Sequence, residues 1–389
     1  MTGPLMNTYP PPPVTFVRGR GSWLYDAGGR AYLDFVGGVA VTSLGHAHPA
    51  VADAVAAQAR TLLHTSNLYG TTVGLEVAAT LDRLLGGGGQ VFFANSGAEA
   101  NECAIKLARK WAGSATTGRH VVISALRSFH GRTLATLHAT GQPARHAPFQ
   151  PLPAGFRHVP YGDLDSLAGA AAAPDVAAVL LEPVQGEGGV WPAPDGYLAG
   201  VRAVCDEAGV LMMLDEVQTG LGRTGRWFGF QHVPALRPDV VTVAKALGNG
   251  VPIGACWARA DVAAAFVPGD HATTLGGQPL ATAAARAVLA VMEAEDVPAR
   301  AARAGARLRA GLERLDGVVE VRGQGLLLGA ELEEGVSAPD AAAAALAKGL
   351  LVNPVTPTTL RFLPSLLVTD DEIDQALEIL AGVLGRVPA

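Results

Sequence analysis

Lysine is scarce in this 389-residue chain, which contains only Lys106, Lys110, Lys245 and Lys348. Nearly all of its positive charge is therefore arginine, and any chemistry that needs a lysine amine has four candidates. Lys106 and Lys110 fall on the polar side of a predicted helix, and Lys348 lies in an alanine-rich helical stretch, so we expect these three to be surface charges. Lys245 differs because it directly follows an apolar run and precedes a glycine-rich loop, residues 246–250.

The chain also has no excess of basic residues. Its 29 Lys and Arg residues against 35 Asp and Glu residues give a net charge of −6, so we expect no nucleic-acid partner. No run of about 18 apolar residues occurs, so no membrane-spanning helix is expected. The N-terminal sequence lacks a charged segment followed by an apolar one, so we expect no secretory signal.

Cysteine is scarce as well, and Cys103, Cys205 and Cys256 lie far apart in the sequence. They form no CxxC pair and have no histidines at the spacing of a zinc site, so no metal site is predicted. An odd and sparse cysteine count is typical of proteins kept in a reducing compartment. We therefore expect a cytoplasmic location.

The middle of the chain alternates between short apolar runs and helical patterns. Buried strands separated by helices predict an α/β fold, with a mostly parallel sheet flanked by helices. The clearest helix is predicted at residues 97–112, where apolar residues recur at the helical period. The predicted strands of the sheet are residues 91–94, 121–124, 178–181, 210–214 and 240–244.

The two ends of the chain differ from this middle part. Residues 23–26 and 31–34 predict a β-hairpin, and beyond residue 276 alanine-rich helices precede two further strands and a last helix at residues 370–384. These patterns predict an N-terminal arm that packs with a small domain, a large domain, and that smaller α+β domain. The predicted units are residues 1–55, 56–275 and 276–389.

Three charged residues stand at the carboxyl ends of predicted strands: Glu182, Asp215 and Lys245. Ligands bind beyond these ends in open parallel sheets, so we expect the three side chains to share one cavity. A buried ion pair is the simpler interpretation for any one of them. The scarcity of lysine and the glycine-rich loop after Lys245 favour a functional site.

Residues 92–101 have the pattern of a strand, a short turn and a helix start. Ser96 followed by Glu99 three residues later predicts a capping box. The free backbone N–H groups and the dipole of such a helix favour a phosphate, and Gly97 and Ala98 are small enough to let it approach. A plain capped helix explains the same pattern equally well.

Two motifs resemble those of nucleotide-binding proteins. Residues 220–225 fit the pattern GxGxxG, but they follow no strand directly and open no predicted helix. The acidic strand end at residues 211–216 is typical of nucleotide triphosphatases, but the chain has no Gly-Lys pair for the phosphate loop that those enzymes need. We interpret the GxGxxG pattern as a chance match, and a nicotinamide dehydrogenase based on it is an alternative from a different cofactor class.

Taken together, several motifs in the right order resemble the class III aminotransferases, the ornithine and acetylornithine type, which have the fold-type I architecture of pyridoxal-phosphate enzymes. The resemblance covers nearly the whole chain and is greatest for the acetylornithine branch of the family. The motifs are residues 44–46, 64–68, 95–102, 129–133, 182–189, 214–225 and 244–254.

This resemblance implies pyridoxal 5'-phosphate as the cofactor and assigns residues to its ring. Lys245 would hold the cofactor as a Schiff base and then shuttle the proton of the reaction. Asp215 would pair with the pyridine nitrogen and keep it protonated. Val217 and Phe129 would lie on the two faces of the ring, and Gln218 would bind its phenolic oxygen.

The resemblance also implies where the phosphate binds. The backbone amides of Ser96, Gly97 and Ala98 would hold it at the helix start. Thr274 would reach the phosphate bound by a partner subunit. The expected assembly is therefore a homodimer with a shared active site.

Two arginines would bind the substrates, a small-molecule amine donor and 2-oxoglutarate. Arg132 would hold the α-carboxylate of an N-acetylated diamino acid, and Arg361 that of glutamate or 2-oxoglutarate, because a planar guanidinium binds a carboxylate through two hydrogen bonds. Glu187 would neutralise Arg361 while the first substrate is bound. The implied reaction exchanges N-acetylornithine and 2-oxoglutarate for N-acetylglutamate semialdehyde and glutamate, a step of arginine biosynthesis.

The chain departs from the family pattern at a few positions, namely Leu275, Gln278, Thr42 and Ser43. These departures leave the amine substrate open, with an N-acyl-lysine, succinylornithine, ornithine or 4-aminobutyrate as alternatives. A pyridoxal-phosphate mutase and a non-catalytic carrier of the cofactor are further alternatives. Arg361 favours the aminotransferase over the mutase, because it supplies an anchor for a keto acid.

Overall fold

A seven-stranded sheet lies at the centre of this computed structural model, which describes residues 4–385. Six strands run parallel, and Gly254–Arg259 runs antiparallel to both of its neighbours. The predicted mostly parallel sheet is therefore confirmed. The order across the sheet is Gly89–Ala94, Gly254–Arg259, Val240–Val243, Leu211–Asp215, Val176–Leu181, Val121–Ala125 and Phe156–Val159.

Both faces of this sheet are covered. In the strand Val176–Leu181, Val179 and Leu181 belong to one hydrophobic cluster, whereas Ala178 and Leu180 belong to another that includes the buried face of the helix Gly97–Trp111. Successive side chains of a strand point to opposite faces, so the two clusters lie on the two sides of the sheet. Strands buried on both faces are apolar along their whole length, which is why the sequence reveals them.

Two strands of the sheet are not predicted by the sequence pattern. Gly254–Arg259 contains glycine, two alanines and a cysteine, and Phe156–Val159 contains arginine and histidine at its centre. Neither is rich in the β-branched residues typical of strands. Each is a strand because neighbouring strands supply its hydrogen bonds.

The longer helices of the described chain, those of eight residues or more, are Pro49–Thr61, Thr72–Leu85, Gly97–Trp111, Leu164–Ala171, Tyr197–Ala208, Pro279–Ala294, Val297–Leu312, Ala338–Ala347 and Asp370–Leu384. Shorter helical segments are Gly37–Ala40, Ser114–Thr117, Leu134–Ala139, Pro143–His146, Ala147–Phe149, Gly229–His232, Lys245–Leu247 and Ala260–Ala263. Among residues 4–385, no helix has the length and apolar character needed to span a membrane.

The helix Gly97–Trp111 begins where the sequence predicts, but its cap differs from the prediction. Ser96 Oγ accepts a hydrogen bond from the Glu99 backbone N–H at 3.2 Å, as a capping box requires. Glu99 Oε2 does not bind the Ser96 backbone in return; it accepts from the backbone and side-chain nitrogens of Asn95, at 2.6 and 2.8 Å. The predicted reciprocal box is therefore wrong by one residue, because the asparagine side chain offers a second donor to the same oxygen.

Smaller sheets lie outside the central one. The first contains Phe16–Arg20, Trp23–Asp26, Ala31–Asp34 and Leu350–Leu351, which confirms the predicted hairpin. The second contains Val318–Gln324, Leu327–Leu332, Thr359–Phe362 and Asn353–Pro354. A two-stranded ribbon pairs Val184–Gln185 with Trp191–Pro192.

Pairing between distant parts of the chain connects the N-terminal strands with the C-terminal part. Ala31–Asp34 pairs in parallel with Leu350–Leu351, so Leu33 lies opposite Leu350. Helix Pro279–Ala294 packs against Pro49–Thr61. The division into three units at residues 55 and 275 stays a prediction, and the first three and last four residues of the outer units lie outside the described residues.

The GxGxxG segment, residues 220–225, holds a buried arginine in place and opens no α-helix. Arg223 is 1% exposed and donates hydrogen bonds to the carbonyl oxygens of Leu326 and Pro364, at 3.0 and 2.6 Å. It also donates to Ser43 Oγ at 3.3 Å. Arg223 therefore links this segment to three distant stretches of the chain. Gly222 and Gly225 have φ values of 89° and 91°, so the local backbone accounts for them without a dinucleotide.

Candidate active site

A cavity of about 360 Å³ opens at the carboxyl ends of the parallel strands. Most of the predicted site residues line it: Ser96, Gly97, Ala98, Phe129, Arg132, Glu187, Asp215, Val217, Gln218 and Lys245. Arg361 is not part of this lining, but it contacts Glu187 and Gln218. Thr274 is exposed and does not line the cavity.

Lys245 follows the strand Val240–Val243 and begins a short helical turn. Its φ of 43° lies in the left-handed region, which a lysine adopts only when the surroundings hold it there. Burial, the largest influence, lowers the pKa of Lys245 to about 8, and Arg361 acts in the same direction against the opposing charge of Glu187. A substantial fraction of this amine is therefore neutral near pH 8.

Asp215 ends its strand with a carboxylate that is only 4% exposed. Its Oδ2 accepts hydrogen bonds from Asn101 Nδ2 and His130 Nδ1, both at 2.8 Å, and its Oδ1 accepts from the Val217 backbone N–H at 3.0 Å. Asn101 is fixed in turn, because its Oδ1 accepts from Thr242 Oγ1 at 2.7 Å. These hydrogen bonds fix the orientation of the carboxylate at the cavity wall.

Asn101 and His130 also line the cavity, although no sequence pattern predicts a role for either. Each lies inside a recognised motif, residues 95–102 and residues 129–133. Their partner, Asp215, is more than 80 residues away in the chain, at a separation of 114 and 85 positions. Only the fold shows that they bind it.

Gly97 forms a tight contact at the start of the helix. A Cβ at this position would lie 2.7 Å from Val217 Cγ1, closer than side-chain carbons approach one another. At Gly97 no side chain therefore separates the helix backbone from the cavity. The N–H groups of the first turn that have no partner within the helix are available to an anion there.

Phe129 and Arg132 lie on the loop after the strand Val121–Ala125. The Arg132 guanidinium carbon is 5.4 Å from the centre of the Phe129 ring, and the Phe129 backbone N–H donates to Glu182 Oε2 at 3.1 Å. Burial raises the pKa of Glu182 well above its ordinary value, and the nearby Asp215 carboxylate raises it further. Glu182, one of the three predicted strand-end charges, thus holds the aromatic loop from within the cavity.

Glu187 and Arg361 form an ion pair at 2.7 Å. Arg361 is 2% exposed, whereas the Glu187 side chain is 28% exposed, so the glutamate is the partner that can turn away. Burial raises the pKa of Glu187, but the charge and the hydrogen bond of Arg361, together with the charges of Lys245 and Arg145, outweigh it and bring the pKa below its ordinary value. The structure therefore brings together the two residues that the family resemblance pairs.

The residues present fit pyridoxal phosphate. The cavity contains the Lys245 amine with its lowered pKa, the hydrogen-bonded carboxylate of Asp215 and an aromatic ring. It also contains a helix start at which any side chain larger than that of glycine would clash. Within residues 4–385, no group of three or more His, Cys, Asp or Glu side chains is arranged to hold a metal ion.

Known proteins match this chain closely. The profile of the family described as Aminotransferase class-III matches residues 6–384. The acetylornithine aminotransferase of Corynebacterium efficiens is 49% identical over 394 residues, which cover 99% of this chain and 96% of that protein.

Solved structures agree with the sequence match. The ornithine aminotransferase of Toxoplasma gondii superimposes with a TM-score of 0.93 at 35% identity, covering 98% of this chain and 92% of that one. A second structure of that enzyme has pyridoxal phosphate at partial occupancy in its active site. The N-acetylornithine aminotransferase of Stenotrophomonas maltophilia has a TM-score of 0.84 at 39% identity, with 96% of each chain covered. This chain belongs to the class-III aminotransferases, the family that its motifs predict.

Proposed function

We propose that this enzyme exchanges N-acetylornithine and 2-oxoglutarate for N-acetylglutamate semialdehyde and glutamate, a step of arginine biosynthesis. The observation that carries the proposal is the ion pair of Glu187 with Arg361 beside a cavity that Arg132 also lines. Two arginines are then available to substrate carboxylates: Arg132 in the wall of the cavity, and Arg361, which contacts the wall residue Glu187 and can be neutralised by it. Its nearly full-length relatives are named acetylornithine aminotransferases, which supports N-acetylornithine as the amine donor.

Pyridoxal 5'-phosphate, when bound, supplies an electron sink for the charge left on a substrate carbon that loses its proton. Lys245 would hold this cofactor, because a neutral amine is nucleophilic and burial lowers the pKa of Lys245 to about 8. The same amine would then act as general base toward the substrate carbon and as general acid toward the cofactor, so that the proton leaves the one and is delivered to the other. Asp215, oriented by Asn101 and His130, would keep the facing ring nitrogen protonated.

The remaining cofactor contacts follow from the wall of the cavity. The first amides of the helix Gly97–Trp111 would bind the phosphate, where the positive end of the helix dipole adds to the hydrogen bonds. Phe129 and Val217 would enclose the ring from its two faces, and Gln218 would donate to its phenolic oxygen. These roles are assigned by the family motifs and are compatible with the positions of the side chains.

The substrates differ in the charge they bring to Arg361. A diamino acid that reacts at its far amine has no carboxylate near the reacting carbon, so Arg361 would need Glu187 as a counter-ion. Glutamate brings its own α-carboxylate, which would replace Glu187 on the guanidinium. Arg132 would bind the distant carboxylate of the diamino acid.

The homodimer is part of this proposal. Leu68, Tyr69 and Leu275 are 86%, 72% and 62% exposed, and the segments that contain them are joined by hydrogen bonds from Asn67 to the carbonyl oxygens of Thr273 and Gly276. A second copy of the chain that covers this apolar surface would place Thr274 against a neighbouring site. The cytoplasmic location expected from the sparse cysteines stays a prediction.

The test is a half-reaction on purified, cofactor-loaded enzyme. N-acetylornithine is added without a keto acid, and the visible absorption band of the cofactor is followed. We expect the band to bleach and 2-oxoglutarate to restore it. Ornithine, an N-acyl-lysine, succinylornithine and 4-aminobutyrate are compared at equal concentration.

Two outcomes would contradict different parts of the proposal, the amine substrate or the cofactor site. Preferential bleaching by another amine would replace N-acetylornithine but leave the transaminase intact. A protein that gains no visible band from added pyridoxal phosphate would overturn the assignment of the cofactor site.

A further inference from the structure

Asn353 is the cross-strand partner of Arg361. The short strand Asn353–Pro354 pairs antiparallel with Thr359–Phe362, and the register sets Asn353 directly opposite Arg361. Side chains at such paired positions are close neighbours on one face of a sheet. The two residues therefore meet by strand register, eight positions apart in the chain.

Asn353 occupies one full edge of the guanidinium. Its Oδ1 accepts hydrogen bonds from Arg361 Nε at 3.1 Å and from Nη2 at 2.7 Å. A guanidinium has only donors, so the oxygen of the amide must be the atom that faces it. The other terminal nitrogen, Nη1, donates to Glu187 Oε1 at 2.7 Å and lies 3.4 Å from Gln218 Oε1.

These contacts determine which edge of Arg361 remains for a substrate. A guanidinium has five N–H groups, and Asn353 uses one on Nε and one on Nη2. When Glu187 turns away, the edge between Nη1 and Nη2 becomes available for a carboxylate with two oxygens. The edge between Nε and Nη2 stays occupied whichever substrate is bound.

We propose that Asn353 is a positioning residue that determines the preference for glutamate and 2-oxoglutarate, because it fixes Arg361 through a neutral acceptor. This inference rests on the proposed function, in which Arg361 binds the α-carboxylate of those substrates. A carboxylate at position 353 would hold the guanidinium equally well but would neutralise it permanently. An amide holds the side chain and leaves its positive charge to be shared between Glu187 and the substrate.

The experiment compares two half-reactions in cofactor-loaded Asn353→Asp enzyme. Glutamate and N-acetylornithine are each added alone to the pyridoxal form of the enzyme. The rate constant and the KM of each half-reaction are measured, and their ratio is the efficiency. We expect the efficiency with glutamate to fall about 10- to 100-fold, mainly through a higher KM, because a charge-assisted contact is lost. The efficiency with N-acetylornithine should change less than about threefold, because that substrate uses Arg361 only in its neutralised state.

A matched control is Asn7→Asp, which makes the same change of charge at an exposed position of the N-terminal segment. Both half-reactions of this control should equal those of the wild type. If the Asn353→Asp protein does not fold, Asn353→Ala decides the question. We expect Asn353→Ala to lower the efficiency with glutamate about tenfold relative to N-acetylornithine, because Arg361 is no longer held in place.

Two results would overturn the inference in different ways. In the first, the wild-type enzyme reacts with glutamate, and the position-353 variants lose both half-reactions equally or lose neither. This result would contradict the role of Asn353 and leave the proposed function intact. A wild-type enzyme that does not react with glutamate would overturn the proposed function and this inference together.

Discussion

His130 Nδ1 lies 2.8 Å from Asp215 Oδ2, and both side chains are buried. The imidazole nitrogen that faces a carboxylate must carry a proton, so His130 donates this hydrogen bond. Together with Asn101 it orients the carboxylate without neutralising it by a guanidinium or an ammonium group. The negative charge of Asp215 is thus held in place at the edge of the cavity.

Asp215→Asn should retain the fold and lose most of the activity. The amide removes the negative charge and places an N–H₂ group near the donors of Asn101 and His130. We expect kcat to fall about 100-fold or more, as when a preorganised electrostatic contact is removed from an active site. The measurement is steady-state transamination, and Asp195→Asn, an exposed position, is the control. Activity within threefold of the wild type in Asp215→Asn would contradict the role of this carboxylate.

The capture of cofactor by the apo-protein should depend on pH through Lys245. The lysine must be neutral to react, and its pKa of about 8 lies below its ordinary value. The rate at which the visible band grows should therefore rise with pH and level off above about pH 8, whereas an ordinary lysine would level off near ~10.4.

Substitutions identify the amine responsible. Lys245→Ala should gain no band that survives gel filtration, whereas Lys348→Ala, at an exposed lysine, should behave as the wild type. An inflection above pH 10 in the wild-type protein would show that the amine is not the buried one.

Arg132→Ala should separate the two substrates. Arg132 lines the cavity and its guanidinium lies over the Phe129 ring, so its loss removes the proposed anchor of the diamino acid. We expect kcat/KM for N-acetylornithine to fall about 10- to 100-fold and that for glutamate to change much less. Arg132→Lys keeps the charge but cannot bind a carboxylate through a planar pair of donors. Its kcat/KM for N-acetylornithine should therefore lie between those of the wild type and Arg132→Ala. Equal losses for both substrates would contradict the separate roles of Arg132 and Arg361.

Arg223→Ala should lower stability. The substitution leaves the carbonyl oxygens of Leu326 and Pro364 without their donor and opens a cavity at a buried position. We expect the free energy of unfolding to fall by about 3 kcal/mol, measured by chemical denaturation. Arg226→Ala changes an exposed arginine of the same loop and should stay within about 0.5 kcal/mol of the wild type. A loss that small in Arg223→Ala would show that the buried hydrogen bonds contribute little.

The sequence is sufficient to predict the part of the site that depends on strand ends. Asp215 and Lys245 close apolar runs, and the carboxyl ends of parallel strands meet at one edge of a sheet, so their shared cavity follows from pattern alone. The pairing of Glu187 with Arg361 is different, because its two residues are 174 positions apart and only the family motifs connect them.

The residues that the sequence does not reveal depend on register. Asn353 lies on a strand of two residues, too short to give a periodic pattern, and it meets Arg361 only because of how that strand pairs. Asn101 and His130 bind Asp215 through side chains whose directions are set by a helix and a loop. No property of their own residue types distinguishes them from ordinary polar surface.

The chain changes sheets between Leu351 and Asn353. Leu350–Leu351 pairs with the N-terminal strand Ala31–Asp34, and Asn353–Pro354 pairs with the strand that contains Arg361, with one residue between them. A displacement of the N-terminal strands should therefore reach Asn353, because a connection of one residue is too short to absorb it. We therefore expect truncations or fusions that displace the N-terminal strands to change the selectivity for the keto acid, although none of those strands lines the cavity.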